Sequence, residues 1–534
     1  MLKKIIILLI VVTVFGIGIK AFDQALNRKL GMAEAMISEF YVEPVDEDKL
    51  VETAIISMLE SLDPHSQYSN AEETKALNEP LSGNFSGVGI TFNMNRDTLY
   101  VIQTVSGGPS EKVGILAGDR IIEVNDTVIA GVSMKNTDIM KRLRGPKGTK
   151  VKVKVLRLQN KTPEEIDFVI TRDDIPIFSV DASYMVNDTT GYIRINKFSA
   201  ETANETADAI KQLKKKGMKN LILDLVDNGG GLLSASVELV SELIQPGEMV
   251  VYTEGLNVPR QNYYSKPSSK QPLLADGRLV IMANQYSASA AEITAGAIQD
   301  LDRGLVVGRR TFGKGLVQRP IPLSDGSMIR LTVAHYYTPT GRNIQKPYEL
   351  GKSKEYREDI MDRFNNGELM HEDSIPRIDS LRVETLKLNR PIYGGGGIYP
   401  DKFVALDTTE YTKYYRNIMA KGLINRYSIT LVDRMRKNLL KAYPNDELFI
   451  ENFQVTPEML QELYDLATEE DIEFNEEEAE ISAPLLSMLI KALVGRDIYD
   501  NATYFKVFNT HDPIFKAAYD LITSDEYEWL LAPQ

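Results

Sequence analysis

Cysteine is absent from the 534-residue sequence, histidine occurs four times and tryptophan once. Without a thiol the chain can form no disulfide, no thiolate metal site and no cysteine nucleophile, and the redox state of its compartment leaves no mark on it. A Ser-His-Asp hydrolase would have to draw on His65, His335, His371 or His511. His65 stands in a turn signal, His371 in a charged stretch and His511 in the C-terminal helical part, while His335 falls on a strand pattern where packing accounts for it. There is no HExxH and no carboxylate and histidine cluster at ligand spacing, so neither metal nor cofactor is expected. With a formal net charge of -14, and no basic block beyond Lys214-Lys215-Lys216, the chain repels nucleic acid, which is excluded as a partner.

Long apolar runs are also missing, with one exception. Lys3-Lys4 precede the fifteen residues Ile5–Ile19, interrupted only by Thr13, Gly16 and Gly18. That length suits the core of an export signal better than a full span of about 20 residues. Ile19-Lys20-Ala21 offers no clear small-x-small cleavage site, so an uncleaved anchor is expected, with a cleaved signal as the alternative. The expected location is the cell envelope, on the periplasmic side of the inner membrane.

What is present is ordinary for a globular protein: 43% hydrophobic and 25% charged residues. The length implies several domains of about 100–200 residues each. Residues 1–22 form the signal or anchor, and apolar residues at helical spacing make 23–82 a small helical unit. Short β segments around one helix near Ser133–Leu143 mark a compact domain over 83–160. Over 170–347, strands such as Asn220–Leu225, Arg278–Ala283 and Leu305–Gly308 alternate with helices Glu201–Lys214, Leu232–Ile244 and Ser289–Leu301, which predicts a layered α/β core. The charged, aperiodic stretch 348–390 reads as an insertion or flexible arm, 391–406 as a return to the core, and 407–534 as an acidic helical extension.

Three segments can carry chemistry. In Asn284–Ile293 a strand runs through small residues into a helix. A hydroxyl there, Ser287 or Ser289, either caps the helix or attacks a carbonyl whose oxyanion the helix amides stabilise. In Thr311–Gln318, Lys314 lies between glycines in an apolar setting. It is either a solvated loop lysine or a desolvated amine able to accept a serine proton. Leu221–Gly231 is a strand ending in three glycines; it lacks the GxxxxGKS/T and GxGxxG patterns of nucleotide loops, so an amide donor at Gly229 or Gly230 fits better.

Together these segments resemble the C-terminal processing peptidases, or tail-specific proteases. That family has a SASASE-like stretch followed by FGKG-x-VQ, with the serine 25 positions before the lysine; here 314 − 289 = 25, which selects Ser289. The resemblance implies Ser289 as nucleophile, Lys314 as general base and Gln318 as the group orienting the dyad. It further implies an oxyanion hole from the Ala290 amide with Gly229 or Gly230. Leu62–Tyr68, Tyr336–Gln345 and Gly397–Asp401 match further family stretches. Residues 85–157 resemble the family's PDZ domain, with Gly87, Val88, Gly89 and Ile90 as the loop that binds a peptide carboxylate. The implied architecture is a PDZ domain plus a crotonase-like layered α/β peptidase core between helical N- and C-terminal regions. The implied partners are peptides with free C-termini and a second copy of the chain. Val226 departs from the family, which usually has arginine there, and Ala291 replaces a serine. A catalytically silent PDZ scaffold and a crotonase-like acyl-CoA enzyme are the alternatives; the first leaves the intact dyad, and the second the PDZ domain, without a reason.

Overall fold

Buried β-branched runs bounded by turns build the central sheet of the protein in a computed structural model that describes residues 24–95, 97–159 and 162–533. The expected signal or anchor, 1–22, lies outside the described residues. Among those described, no helix is long and apolar enough to cross a membrane.

The chain divides into two compact units. One takes in the residues up to Ala71, Gln318–Thr332 and Tyr348–Tyr356. It contains the helices Gln24–Phe40 and Glu47–Glu60, the second capped by the Asp46 carboxylate. Strand Gln67–Ser69 pairs antiparallel with Met328–Arg330. Asp63 organises the turn between: it accepts from the amides of His65 and Ser66 and from the hydroxyls of Ser66 and Thr332. Burial works to raise the Asp63 pKa, but these bonds outweigh it and hold the group below its ordinary value.

The other unit, Glu72–Val317, Val333–Pro347 and Arg357–Gln534, contains a β domain, a layered core and the C-terminal helices. In the β domain the strands Ile90–Asn95, Thr98–Thr104, Arg120–Val124, Lys150–Gln159 and Thr162–Thr171 form one antiparallel sheet, packed on the helix Asn136–Leu143 through Ile139 and Leu143. The sheet therefore runs past the expected boundary at residue 160. Strand Ile90–Asn95 is at its edge, paired on one side only.

The core sheet has the order Val180–Met185, Thr190–Ile195, Asn220–Asp224, Leu279–Ala283, Leu305–Gly308, Lys402–Phe403, with its first pair antiparallel and the rest parallel. Helices Thr202–Lys215, Leu233–Ser241 and Ala290–Asp300 bury Ile210, Leu239 and Ile298 against one face. The other face, with Tyr192, Ile222, Val280 and Val307, is covered by Ile514, Ala518, Leu521 and Tyr527 from the last helices of the chain. The C-terminal stretch is thus not wholly an extension: its end completes the peptidase core. Helices between Lys413 and Ile498 form a core of their own around Phe449, Leu463 and Leu486.

The stretch 348–390, read as an insertion or a flexible arm, is folded. It folds into the helix Ser353–Asn365, two short 3-10 turns and a strand, Arg382–Glu384, paired with Pro391–Tyr393. Its Glu368 is 4% exposed and accepts from Arg310 at 2.6 and 2.8 Å and from Arg363 at 2.7 Å. The sequence hides this because charged residues that pair inside the fold look like solvated ones on paper.

Candidate active site

Strand Leu279–Ala283 leaves the sheet at Asn284 and turns into the helix Ala290–Asp300. The turn is braced on both sides. Ser287 is 1% exposed; its hydroxyl donates to the Leu225 carbonyl at 2.7 Å and accepts from the Asn284 amide at 2.9 Å. Ala288 N–H donates to the Asn228 carbonyl at 2.9 Å. Ser287 is therefore a structural brace. Ser289, half-buried at the helix start, has φ 57° and ψ −116°. A residue with a Cβ pays about 1–3 kcal/mol for such a conformation, which persists only where its surroundings impose it.

Gly229 and Gly230 come to the same place. A Cβ at Gly230, where φ is +93°, would stand 2.7 Å from Ser289 Cβ and 2.9 Å from Ala290 N, so no side chain fits. The Gly230 N–H donates to Asn228 Oδ1 at 2.8 Å, and Asn228 Nδ2 donates to the Ile195 carbonyl at 2.7 Å. The neighbouring Gly229 is exposed.

Lys314 sits half-buried in the loop that precedes strand Leu316–Pro322. The two segments meet at Glu292, a residue to which the sequence reading gave no role. Its carboxylate is fully buried and takes four donors: Oε1 accepts from Thr311 Oγ1 at 2.5 Å and Gly313 N at 2.7 Å, and Oε2 from Lys314 N at 2.8 Å and Ser289 N at 2.9 Å. Burial raises its pKa to about 7, with the four bonds acting against that rise. Tyr336 is a second such residue: its hydroxyl donates to the carbonyls of Ser289, at 3.2 Å, and of Lys314. The sequence signal for Glu292 is an acid in the apolar first turn of the helix, three residues after Ser289.

The neighbouring matched stretches hold the Lys314 loop. Gln345 Oε1 accepts from Gly315 N at 2.8 Å, and Thr311 exchanges backbone and hydroxyl bonds with Ile398. Lys346 Nζ lies 4.2 Å from the centre of the Phe312 ring, and Asp359 accepts from it at 2.9 Å. The Phe312 ring thus carries the Lys346 cation. Gln318 belongs to the first unit, where its Nε2 donates to Thr332 Oγ1 at 3.3 Å. In the β domain, Val88 is buried in the core, and its carbonyl accepts from Ser110 N and Oγ at 3.1 and 2.6 Å. The Gly89 carbonyl accepts from Val105 N at 3.0 Å; Gly87 ends the strand Asn84–Gly87, paired with Asp173–Pro176, and Ile90 begins the next, so of the expected carboxylate loop only Val88 and Gly89 lie between strands. At Val226 the expected guanidinium is supplied from a different strand: Arg194 Nη2 donates to the Val226 carbonyl at 3.0 Å. Among the described residues there is no cluster of three His, Cys, Asp or Glu that could hold a metal ion.

A serine at a helix start, a lysine loop and a glycine loop on one α/β core, beside an edge-open β domain, define a serine-type peptidase with a PDZ domain. Comparisons with known proteins agree. Residues 189–351 match peptidase family S41, 86–169 a PDZ domain, 19–74 the activating protease CtpB N-terminal domain, and 414–500 a family of unknown function, DUF8443. The chain is 37% identical over 310 residues to the carboxy-terminal-processing protease of Bartonella bacilliformis, a match covering 57% of this chain and 69% of that protein. It is 36% identical over 319 residues to the carboxy-terminal processing protease CtpA of Bacillus subtilis, covering 60% and 66%. Among solved structures, a photosystem II D1 C-terminal processing protease is 31% identical, with 59% of this chain and 83% of that one covered and a TM-score of 0.34. The chain belongs to the carboxy-terminal processing proteases of peptidase family S41.

Proposed function

We propose that this peptidase captures unstructured C-terminal tails of envelope proteins on its PDZ domain and cleaves them through a Ser289–Lys314 dyad. The observation that carries the dyad is the Glu292 carboxylate, whose one oxygen accepts from the amides of both Ser289 and Lys314. A neutral Lys314 amine takes the proton of Ser289 Oγ as that oxygen attacks the scissile carbonyl. The oxyanion forms beside Ala290 N–H and the glycine loop, with the exposed Gly229 as second donor, because the Gly230 N–H is taken by Asn228 Oδ1. Lys314 then protonates the leaving amine, the acyl-Ser289 ester remains, and water hydrolyses it with Lys314 again as base. The substrate tail adds to the free edge of Ile90–Asn95, with its carboxylate on the amides of Gly87–Ile90. The chain is held at the inner membrane on its periplasmic side by residues 5–19, and it works as a dimer.

The test is cleavage of a fluorescence-quenched, unstructured peptide. Ser289→Ala is expected to abolish it, while Ser287→Ala retains turnover in the fraction that folds; the reverse result would sink the nucleophile assignment. Amidating the peptide's C-terminus is expected to raise KM. Equal rates for free and amidated ends would remove the PDZ domain's role in selection.

A further inference from the structure

The glycine loop must be held in place to a fraction of an ångström if its amides are to meet an oxyanion. Its entry point, Val226, has no polar side chain with which to hold itself. Both of its backbone groups are nevertheless clamped: its N–H donates to Asp224 Oδ1 at 2.8 Å, and its carbonyl accepts from Arg194 Nη2 at 3.0 Å. Arg194 Nη1 donates to Asp224 Oδ2 at 2.6 Å, and the Tyr192 hydroxyl donates to the same oxygen at 2.5 Å. Arg194 thus bridges the last residue of strand Asn220–Asp224 and the first turn of the loop. Two residues on, Asn228 is tied to Ile195, the neighbour of Arg194 on the same strand.

The guanidinium is itself seated by the far end of the chain. Phe505, on the helix Asn501–Phe508, places its ring 4.7 Å from Arg194 Cζ, leaving the arginine side chain 15% exposed. A planar guanidinium presents separate nitrogens to a carboxylate and a carbonyl and its flat face to an aromatic ring, a fixed geometry that the single nitrogen of an ammonium does not reproduce.

We propose that Arg194 is a positioning residue for the peptidase reaction, fixing the glycine loop through the Val226 carbonyl, and that Phe505 seats it, so that the C-terminal region sets turnover. This role presupposes the serine-lysine chemistry proposed above. Arg194 touches no substrate. Its loss moves the loop that stabilises the transition state and leaves capture of the tail on the PDZ domain unchanged.

The experiment compares kcat and KM of wild type with Arg194→Met, Arg194→Lys, Phe505→Leu and Ser289→Ala on the quenched peptide, after active-site titration with a serine-reactive probe. Arg194→Met is expected to lower kcat per titrated site about a hundredfold, the scale of a misplaced oxyanion donor, with KM within about twofold. Should Arg194→Met fail to fold, Arg194→Lys keeps a charge beside Asp224 but cannot hold both Asp224 and Val226; it is expected to lower kcat about tenfold or more. Phe505→Leu, remote from the chemistry, is expected to lower kcat about threefold to tenfold at unchanged KM. Wild-type kcat per titrated site in folded Arg194→Lys, or activity lost only in step with the titratable fraction, would overturn the proposal. Cleavage that survives Ser289→Ala would instead overturn the serine mechanism, and this role with it.

Discussion

Glu292 shows how one buried carboxylate can tie two segments of the chain together. Ionised, it accepts all four donors; protonated, one oxygen must donate, so either the Thr311 hydroxyl bond reverses or an amide of the Ser289 or Lys314 segment loses its partner. Its folded pKa, about 7, lies above the ordinary carboxyl value because burial penalises the charge. The sign of the linkage follows. Stability from the raised pKa is fully present below the unfolded value near 4.5 and is lost as pH rises through about 7, a change of about 3 kcal/mol. Glu292→Gln cannot titrate, so the stability of wild type relative to this variant is expected to fall by about that amount between pH 4 and pH 8. Urea denaturation of both at several pH values checks it. A difference that stays flat with pH would mean that folding leaves the Glu292 carboxyl at its unfolded pKa. Activity is expected to run the other way, rising with pH as the carboxylate forms and clamps both segments.

At the scale of elements, the stretch read as an arm anchors the lysine loop. Arg363 donates to the carbonyls of Arg310 and Thr311, at 2.6 and 3.0 Å, and Glu368 pairs with both arginines. Removing one partner of a buried ion pair strands the others, at about 3–5 kcal/mol. Glu368→Gln is therefore expected to destabilise the protein by that order and to lower peptidase activity, read by thermal unfolding and peptide cleavage together. An unchanged melting temperature would show that the charges find water instead. The local patterns made the strands and helices of the core legible in the sequence, since each alternates or repeats within its own length. The arm was not legible in this way, because Glu368 and its partners Arg310 and Arg363 are brought together only by folding.

Across the whole molecule, the last helices of the chain close the open face of the peptidase sheet. Burying side chains such as Ile514, Leu521, Ile522 and Tyr527 contributes about 1.5–3 kcal/mol each. Four of them sum to on the order of 8 kcal/mol, comparable to the whole stability of a typical protein, about 5–15 kcal/mol. A chain ending at Asp500 is expected to lose cooperative unfolding and bind a hydrophobic dye, although it keeps every residue of the proposed dyad. A truncated protein that unfolds cooperatively at the wild-type temperature would show the sheet stable without its cover. The sequence by itself singled out the segments of the proposed site, since Ser289, Lys314 and the glycine run stand in local motifs at a fixed spacing. It also determined the PDZ domain and the layered core. Only the tertiary structure decided that Ser287 is a brace, that Glu292 and Tyr336 join the two segments, that Arg194 holds the loop at Val226, and that the C-terminal helices belong to the core. The physical reason is that a periodic apolar face declares that a helix will be buried but not against what, and a charged residue declares its charge but not its partner.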